Sequence, residues 1–310
     1  MNNNIHQKNF GEPEVPIIII ERDDEPVNDT RGGGTVVVER IPSRMRRLMK
    51  KLLWIPAVLA GMAVMFMAYM MWEYYYNIGV SISVSPSENI DKLKAEPQAE
   101  AAEVVMTSES VLGVEFDIYA LHGVSGSIEF EEPDTADKSV YLYCRSSDFT
   151  PKGRYLGSLV CNGQVFSNDT KRLGYMAMAN GNNVIGISRS EDVMDYVAER
   201  EGCFFRQFIL VSNGELPPRF FLHGKVERCA IGRIDDRLYF ITSRNKETMW
   251  SFADALREYG FIDAIYITGG YDYSFYRDRS GQRHDIHNPE WYPHTKWKGI
   301  IPWIVFRKRA

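Results

Sequence analysis

The sequence predicts an α+β domain, a mixed and mainly antiparallel sheet with packed helices, behind one N-terminal transmembrane helix. Three observations carry this expectation. An unbroken apolar run fills Leu52 to Trp72. Short β-prone runs separated by Asn-Gly pairs fill much of the second half of the 310-residue chain. Two amphipathic stretches each end at a glycine and lead into a new strand.

The apolar run is about 21 residues long, what a helix rising ~1.5 Å per residue needs to cross a hydrocarbon core of ~30 Å. Trp54 marks one end, and Tyr69, Trp72, Tyr74, Tyr75 and Tyr76 crowd the other, where amphipathic rings prefer the headgroup level. Pro56 falls in the first turn or so, where a missing amide donor costs little. Arg40, Arg44, Arg46, Arg47, Lys50 and Lys51 precede the run, and no Lys or Arg follows until Lys92. That asymmetry places the N-terminus in the cytoplasm and the C-terminal domain in the periplasm or its equivalent, with the chain in the inner membrane. A cleaved signal peptide fits less well: the run is long for an h-region, starts about fifty residues in, and lacks a small-residue cleavage site.

Residues 1–51 read as a flexible cytoplasmic tail. Pro16 to Glu21 and Thr35 to Glu39 are β-prone but bury almost nothing alone; they suit adding a strand to a cytoplasmic partner's sheet edge. Residues 73–103 are rich in Ser, Pro, Glu, Gln and Ala and read as a linker. The globular domain is expected over residues 104–310.

Within it, strands are expected at Val114 to Ala120, Ser139 to Cys144, Leu156 to Cys161, Gly174 to Ala179, Val184 to Ser188, Cys203 to Val211 and Ile300 to Phe306. Asn162-Gly163, Asn180-Gly181 and Asn213-Gly214 suit tight turns whose central residues take positive φ, so much of the sheet is antiparallel. One helix is expected over Ser190 to Arg200. A second, Thr248 to Tyr259, puts Met249, Phe252, Ala253, Leu256 and Tyr259 on one face and stops at Gly260.

Arg228-Cys229-Ala230-Ile231-Gly232, the second helix, the strand Ala264-Ile265-Tyr266-Ile267 and the turn Thr268-Gly269-Gly270-Tyr271 follow one another in the order of a known core. This succession resembles the phosphodiester glycosidase family, over roughly Val111 to Lys308, and Cys203-Phe204-Phe205-Arg206-Gln207 looks like a segment of divergent bacterial relatives. The resemblance implies a membrane-anchored hydrolase of glycosyl phosphodiesters, acting on envelope glycans or exopolysaccharide precursors. The family's turn carries an acid where Thr268 stands, so the alternative is an inactive domain that keeps a sugar-phosphate-binding or scaffold role.

Expelling a phosphate monoester from a sugar needs a cation for the leaving group and a carboxylate for water or the oxocarbenium-like centre. The resemblance therefore points to Arg228 and Asp272 as catalytic. Arg206, Gln207, Asn162, Gly269, Gly270 and Tyr271 are the substrate-binding candidates, Asn162 through the weak echo Asn162-Gly163-Gln164-Val165-Phe166. Arg206 and Arg228 are expected to face one anionic groove with the amides of the Gly269-Gly270 turn.

No cofactor or metal is expected. His284, Asp285, His287 and His294 share a loop, but their spacing matches no closed zinc site. Cys144, Cys161, Cys203 and Cys229 allow three pairings in an oxidising compartment, or serve as small buried apolar groups. A net charge of -5, with no long basic face beyond the cluster before the span, argues against nucleic acid. The ligand partner is expected to be a carbohydrate or glycosyl phosphodiester. Protease added outside spheroplasts should digest the C-terminal domain and spare the tail; a protected domain would reverse the assigned orientation.

Overall fold

The structure, a computed structural model, describes residues 43–76, 86–97, 99–146, 153–217, 224–269, 274–286 and 301–309. The tail runs at Pro16 to Glu21 and Thr35 to Glu39 lie outside them. Helix α1 (Ser43–Tyr76) carries the apolar run. Its Trp54–Trp72 stretch is long and apolar enough to cross a membrane, and none of it is buried within the protein.

The globular part opens with α2 (Pro86–Lys94), β1 (Glu103–Val111), β2 (Val114–His122), β3 (Val124–Glu129) and β4 (Val140–Arg145). A middle run holds β5 (Leu159–Cys161), β6 (Gln164–Ser167), β7 (Gly174–Ala179), β8 (Asn182–Ile187), α3 (Asp192–Ala198), β9 (Cys203–Gln207) and β10 (Ile209–Val211). The last run holds β11 (Arg228–Ile234), β12 (Arg237–Ser243), α4 (Met249–Tyr259), β13 (Asp263–Gly269), β14 (Phe275–Arg277), β15 (Arg283–Asp285) and β16 (Trp303–Lys308).

The α+β class holds, but the strands divide among three sheets. The first has the order β1-β2-β12-β11-β13-β10, the second β15-β14-β4-β16-β3, and the third β6-β5-β9-β7-β8. Every strand pairing among the described residues is antiparallel. The turn signals explain much of this: Asn162, Asn180 and Asn213 take φ of 47°, 52° and 53°, each followed by a glycine at φ 75° or 76°, the backbone that two-residue hairpin turns require.

One face of each sheet lines a shared central core, with Ile231 and Phe240 from the first, Leu142 and Ile304 from the second, and Met176 and Phe205 from the third. The outer face of the first sheet packs on α4 through Phe252, Ala253 and Leu256. Helix α4 starts at Thr248, whose side chain accepts from the Ser251 amide at 3.0 Å, and stops at Gly260 with φ 114°, a left-handed cap that glycine adopts without strain.

Two expectations are corrected by packing. Cys203 to Val211 is two strands, because the chain leaves the third sheet after Gln207 and joins the first at Ile209. The segment read as linker contains α2, whose Leu93 is buried with Val193 and Val197 of α3. The β7–β8 hairpin holds it there: Asn180 Nδ2 donates to the Leu93 carbonyl at 3.1 Å and Asn182 Nδ2 to the Ala95 carbonyl at 2.7 Å. Polar composition alone hid a helix with only one fully buried apolar side chain.

The C-terminal strand is clamped by charge. Arg307 Nε and a terminal nitrogen each donate to the Glu129 carboxylate at 3.0 Å, and the guanidinium also reaches Asp137 and Ser139. Hydrogen bonds from Ser139, with Arg307 adding to them, lower the Asp137 carboxyl from the ordinary 3.8 to about 2. A depressed carboxylate contributes stability that is present above its unfolded value and lost as pH falls through its folded one. Thermal unfolding followed from about pH 4 to about pH 2 should therefore show a loss of stability, smaller in Arg307→Met than in wild type. An equal loss in both would remove Arg307 from this linkage.

Candidate functional site

Strand β13 ends at Gly269, where the expected glycine turn begins. Its neighbour β11 sets Arg228 directly opposite Gly269, with a register shift between Arg228 and Ala230 that bends the strand at this end. The Arg228 amide donates to Ser243 Oγ at 2.8 Å, and that hydroxyl donates to the Asn245 carbonyl at 2.8 Å. The Arg228 side chain reaches the carbonyls of Glu247 at 3.0 Å and Gly224 at 2.8 Å, and Tyr266 Oη at 3.4 Å. Each guanidinium nitrogen thus has a protein acceptor, which leaves one N–H on each terminal nitrogen for anything else.

On the other face of β13, Gln207 Nε2 donates to the Ile267 carbonyl at 3.3 Å. Gln207 Oε1 accepts from the Phe208 amide at 3.0 Å and from Arg172, whose guanidinium lies 4.3 Å from the centre of the Phe208 ring. Arg172 and Gln207 are both fully buried. Arg172 was not among the residues singled out from the sequence, since an Arg next to a Lys just before a strand looks like ordinary surface charge.

Arg228 and Gly269 are therefore paired at the end of β13, while Gln207 approaches that strand from its other side. Arg206 does not join them. It follows Phe204 by two residues, so both point to the outer face of the third sheet, and the guanidinium lies 5.4 Å from the Phe204 ring. There it donates to the carbonyls of Ser188 and Ser190. Its pKa is lowered because burial disfavours the charge, with Tyr175, Glu191 and Asp169 acting in the opposite sense. Arg228 instead shares the Tyr266 side of the first sheet, beneath α4, so the single groove expected for both arginines is not formed.

Asn162 also lies elsewhere. It turns between β5 and β6, and its side chain is 3.8 Å from Cys203 Sγ, at the start of β9. Gln207 is at the other end of that strand, about 13 Å away at ~3.3 Å per residue. Gly270, Tyr271 and Asp272 lie outside the described residues, as do His287 and His294. His284 pairs with Asp278 at 2.8 Å and stacks on Tyr276, with ring centres 4.9 Å apart. Hydrogen bonds from Ser280 and then His284 hold the Asp278 carboxyl down at about 2. Tyr276 in turn packs on Tyr119 at 5.2 Å. Burial, helped by the nearby Asp117 carboxylate, raises the Tyr119 hydroxyl far above the usual tyrosine range. Both tyrosines are neutral hydrogen-bonding rings at ordinary pH.

No protein-family model and no curated protein matches the chain. Among solved structures it is similar to a hypothetical protein from Synechocystis, at 10% identity over 69% of this chain and 65% of that one, with a TM-score of 0.51. The fold is shared. It is also similar to the zebrafish N-acetylglucosamine-1-phosphodiester alpha-N-acetylglucosaminidase catalytic domain auto-inhibited by its pro-peptide, at 15% identity over 69% of this chain and 85% of that one, with a TM-score of 0.48. At 10% identity, the likeness to the Synechocystis protein speaks for the fold and not for the chemistry.

Gln207 is the residue through which this region is most open to test. Gln207→Leu removes the acceptor used by two buried donors, and should lower unfolding free energy by about 1–3 kcal/mol in denaturant titration. Gln207→Glu keeps an acceptor beside Arg172 and should retain most of that stability. Equal losses in the two variants would show that the acceptor offered to Phe208 and Arg172 is not what decides this position.

Proposed function

We propose that the chain is a membrane-anchored, phosphodiester glycosidase-like protein whose extracytoplasmic domain acts on a glycosyl phosphodiester of the cell envelope, at the end of β13. The observation that carries this reading is the β11–β13 register, which sets Arg228 opposite Gly269. A fixed guanidinium beside a glycine turn supports anion binding twice over: the charge is held in place, and a backbone without Cβ lets amides approach an oxygen ligand. The order of Arg228 to Gly232, α4, β13 and the glycine turn, which resembles the phosphodiester glycosidase core, supplies the reaction class. The apolar α1 supplies the anchor.

In this reading the remaining N–H groups of Arg228 and the amides at Gly269 and Gly270 hold the departing phosphate, and Asp272 activates water at the sugar carbon. The arginine bears part of this role only, because its other donors hold the 224 and 247 loops in place. Arg206, Asn162 and Tyr271 enter no step.

A second reading, a binding module without turnover, is favoured by Thr268, which stands where the resembled turn carries its acid. The full-length chain in detergent, assayed for phosphomonoester release from a panel of glycosyl phosphodiesters, separates the two. An enzyme should lose about a hundredfold or more of its rate in Asp272→Asn, the usual scale for a general base, while ligand affinity stays near wild type. A binder should show saturable binding of the same compounds and no release, with Thr268→Asp the variant most able to gain activity. The absence of both release and binding across the panel would overturn the proposal.

A further inference from the structure

Strands β5 and β9 run antiparallel with Leu159 opposite Phe205 and Val160 opposite Phe204, so the next pair is Cys161 and Cys203. Residues directly opposed on antiparallel strands have Cα atoms about 4.5–5.5 Å apart, inside the roughly 4.4–6.8 Å that a disulfide spans. Opposed side chains share a face, and both thiols lie in the central core. There they bracket one residue of β3: Cys161 Sγ donates to the Ile128 carbonyl at 2.9 Å, and the Ile128 amide donates to Cys203 Sγ at 3.2 Å. The Asn162 amide is a second donor to Cys203 Sγ, at 3.5 Å.

The surroundings sort the two protons. A hydrogen bond between the sulfurs raises the Cys161 thiol and lowers Cys203 to about 7, with the Asn162 and Ile128 amides acting in the same sense on Cys203 and burial opposing them. Cys203 is therefore the sulfur that ionises first and attacks first. Cys144 on β4 and Cys229 on β11 stand in different sheets.

We propose that Cys161 and Cys203 form a dithiol–disulfide couple joining β5 to β9 across the segment that carries β6, β7, β8 and α3, oxidised by a disulfide-bearing molecule. The Cys203 thiolate attacks one sulfur of that molecule, forming a mixed disulfide and releasing one thiol. The Cys161 sulfur then attacks Cys203 Sγ, the new S–S bond forms, and the second oxidant sulfur leaves as a thiol. Two cysteine thiols lose two protons and two electrons in total, and the oxidant disulfide takes up both pairs. Opening of the short β5–β6 hairpin gives access to the buried sulfurs, since β6 is an edge strand with Gln164, Val165 and Phe166 exposed.

The test does not depend on the reading of the glycan site. Full-length protein purified in detergent is incubated with glutathione disulfide, quenched in acid, denatured, alkylated and digested without reduction for mass spectrometry. The expected result is loss of half of the alkylatable thiols and a peptide linking Cys161 to Cys203, reversed by dithiothreitol. In Cys161→Ser the second step is blocked, and Cys203 should accumulate as the mixed disulfide with glutathione. The wild-type peptide map reads the pair directly, whether or not the variant folds. Four alkylatable cysteines after incubation, or a dominant link involving Cys144 or Cys229, would overturn the proposal.

Discussion

The fold turns on the side-chain amide of Gln207. At this residue the chain leaves the third sheet for the first, and a strand that changes sheets leaves backbone groups without ladder partners at the point of change. The Gln207 amide supplies the missing pairing: its oxygen takes the Phe208 N–H, its nitrogen binds the Ile267 carbonyl, and Arg172 adds a charged donor to the same oxygen. The Phe208 carbonyl meanwhile accepts from the Tyr266 amide at 2.9 Å, so the crossing is stitched to β13 on both sides. Gly174 makes room for the bend, because a Cβ there would come within 2.9 Å of the Gln207 carbonyl oxygen and 3.0 Å of the Ile209 nitrogen. With the crossing fixed, two sheets meet at a set angle and the central core can fill between them.

Buried arginines serve the same purpose elsewhere. Arg206 holds the Ser188 and Ser190 carbonyls ahead of α3, and Arg277 holds those of Val140, Thr135, Asp137 and Gly281. Arg228 holds Gly224 and Glu247. A guanidinium suits this work because it offers five donors in a rigid fork and stays charged when buried. Irregular backbone between short strands is rich in carbonyls that no ladder satisfies, and here arginine takes them up. An arginine on a strand beside a turn thus carries two meanings in this fold, and only its acceptors tell them apart.

That ambiguity marks how far the sequence could be read. Asn-Gly pairs, Thr248 and Gly260 report local backbone needs, and the hairpins and α4 stand where they pointed. Unbroken apolar runs such as Gly174 to Ala179 report burial on both faces, and β7 is indeed buried at all six positions. What such a run cannot report is which core each face enters. Cys203 to Val211 is apolar apart from Arg206 and Gln207 and carries no turn signal, so nothing in its pattern marks the change of sheet at Phe208, and the Gln inside it looks like a candidate ligand rather than a backbone partner. At the candidate site, the adjacency of Arg228 and Gly269 follows from the order of elements. The separation of Arg206 from Arg228 depends on strand parity, Phe204 and Arg206 facing outward while Phe205 and Gln207 face inward, which is meaningful only once the sheet is known.

Strand β9 connects these features. Its first residue, Cys203, is opposed by Cys161, and its last, Gln207, reaches the carbonyl two residues before Gly269. A bond between the two sulfurs would fix β9 against the short β5, and β9 is the element that presents Gln207 to β13. Strand positions are held cooperatively along so short a span, so restraint at one end limits the freedom of the other. The position of the β13 terminus at Gly269 is then tied to the proposed link through covalent chain, ladder hydrogen bonds and one buried amide, with no loop in the path.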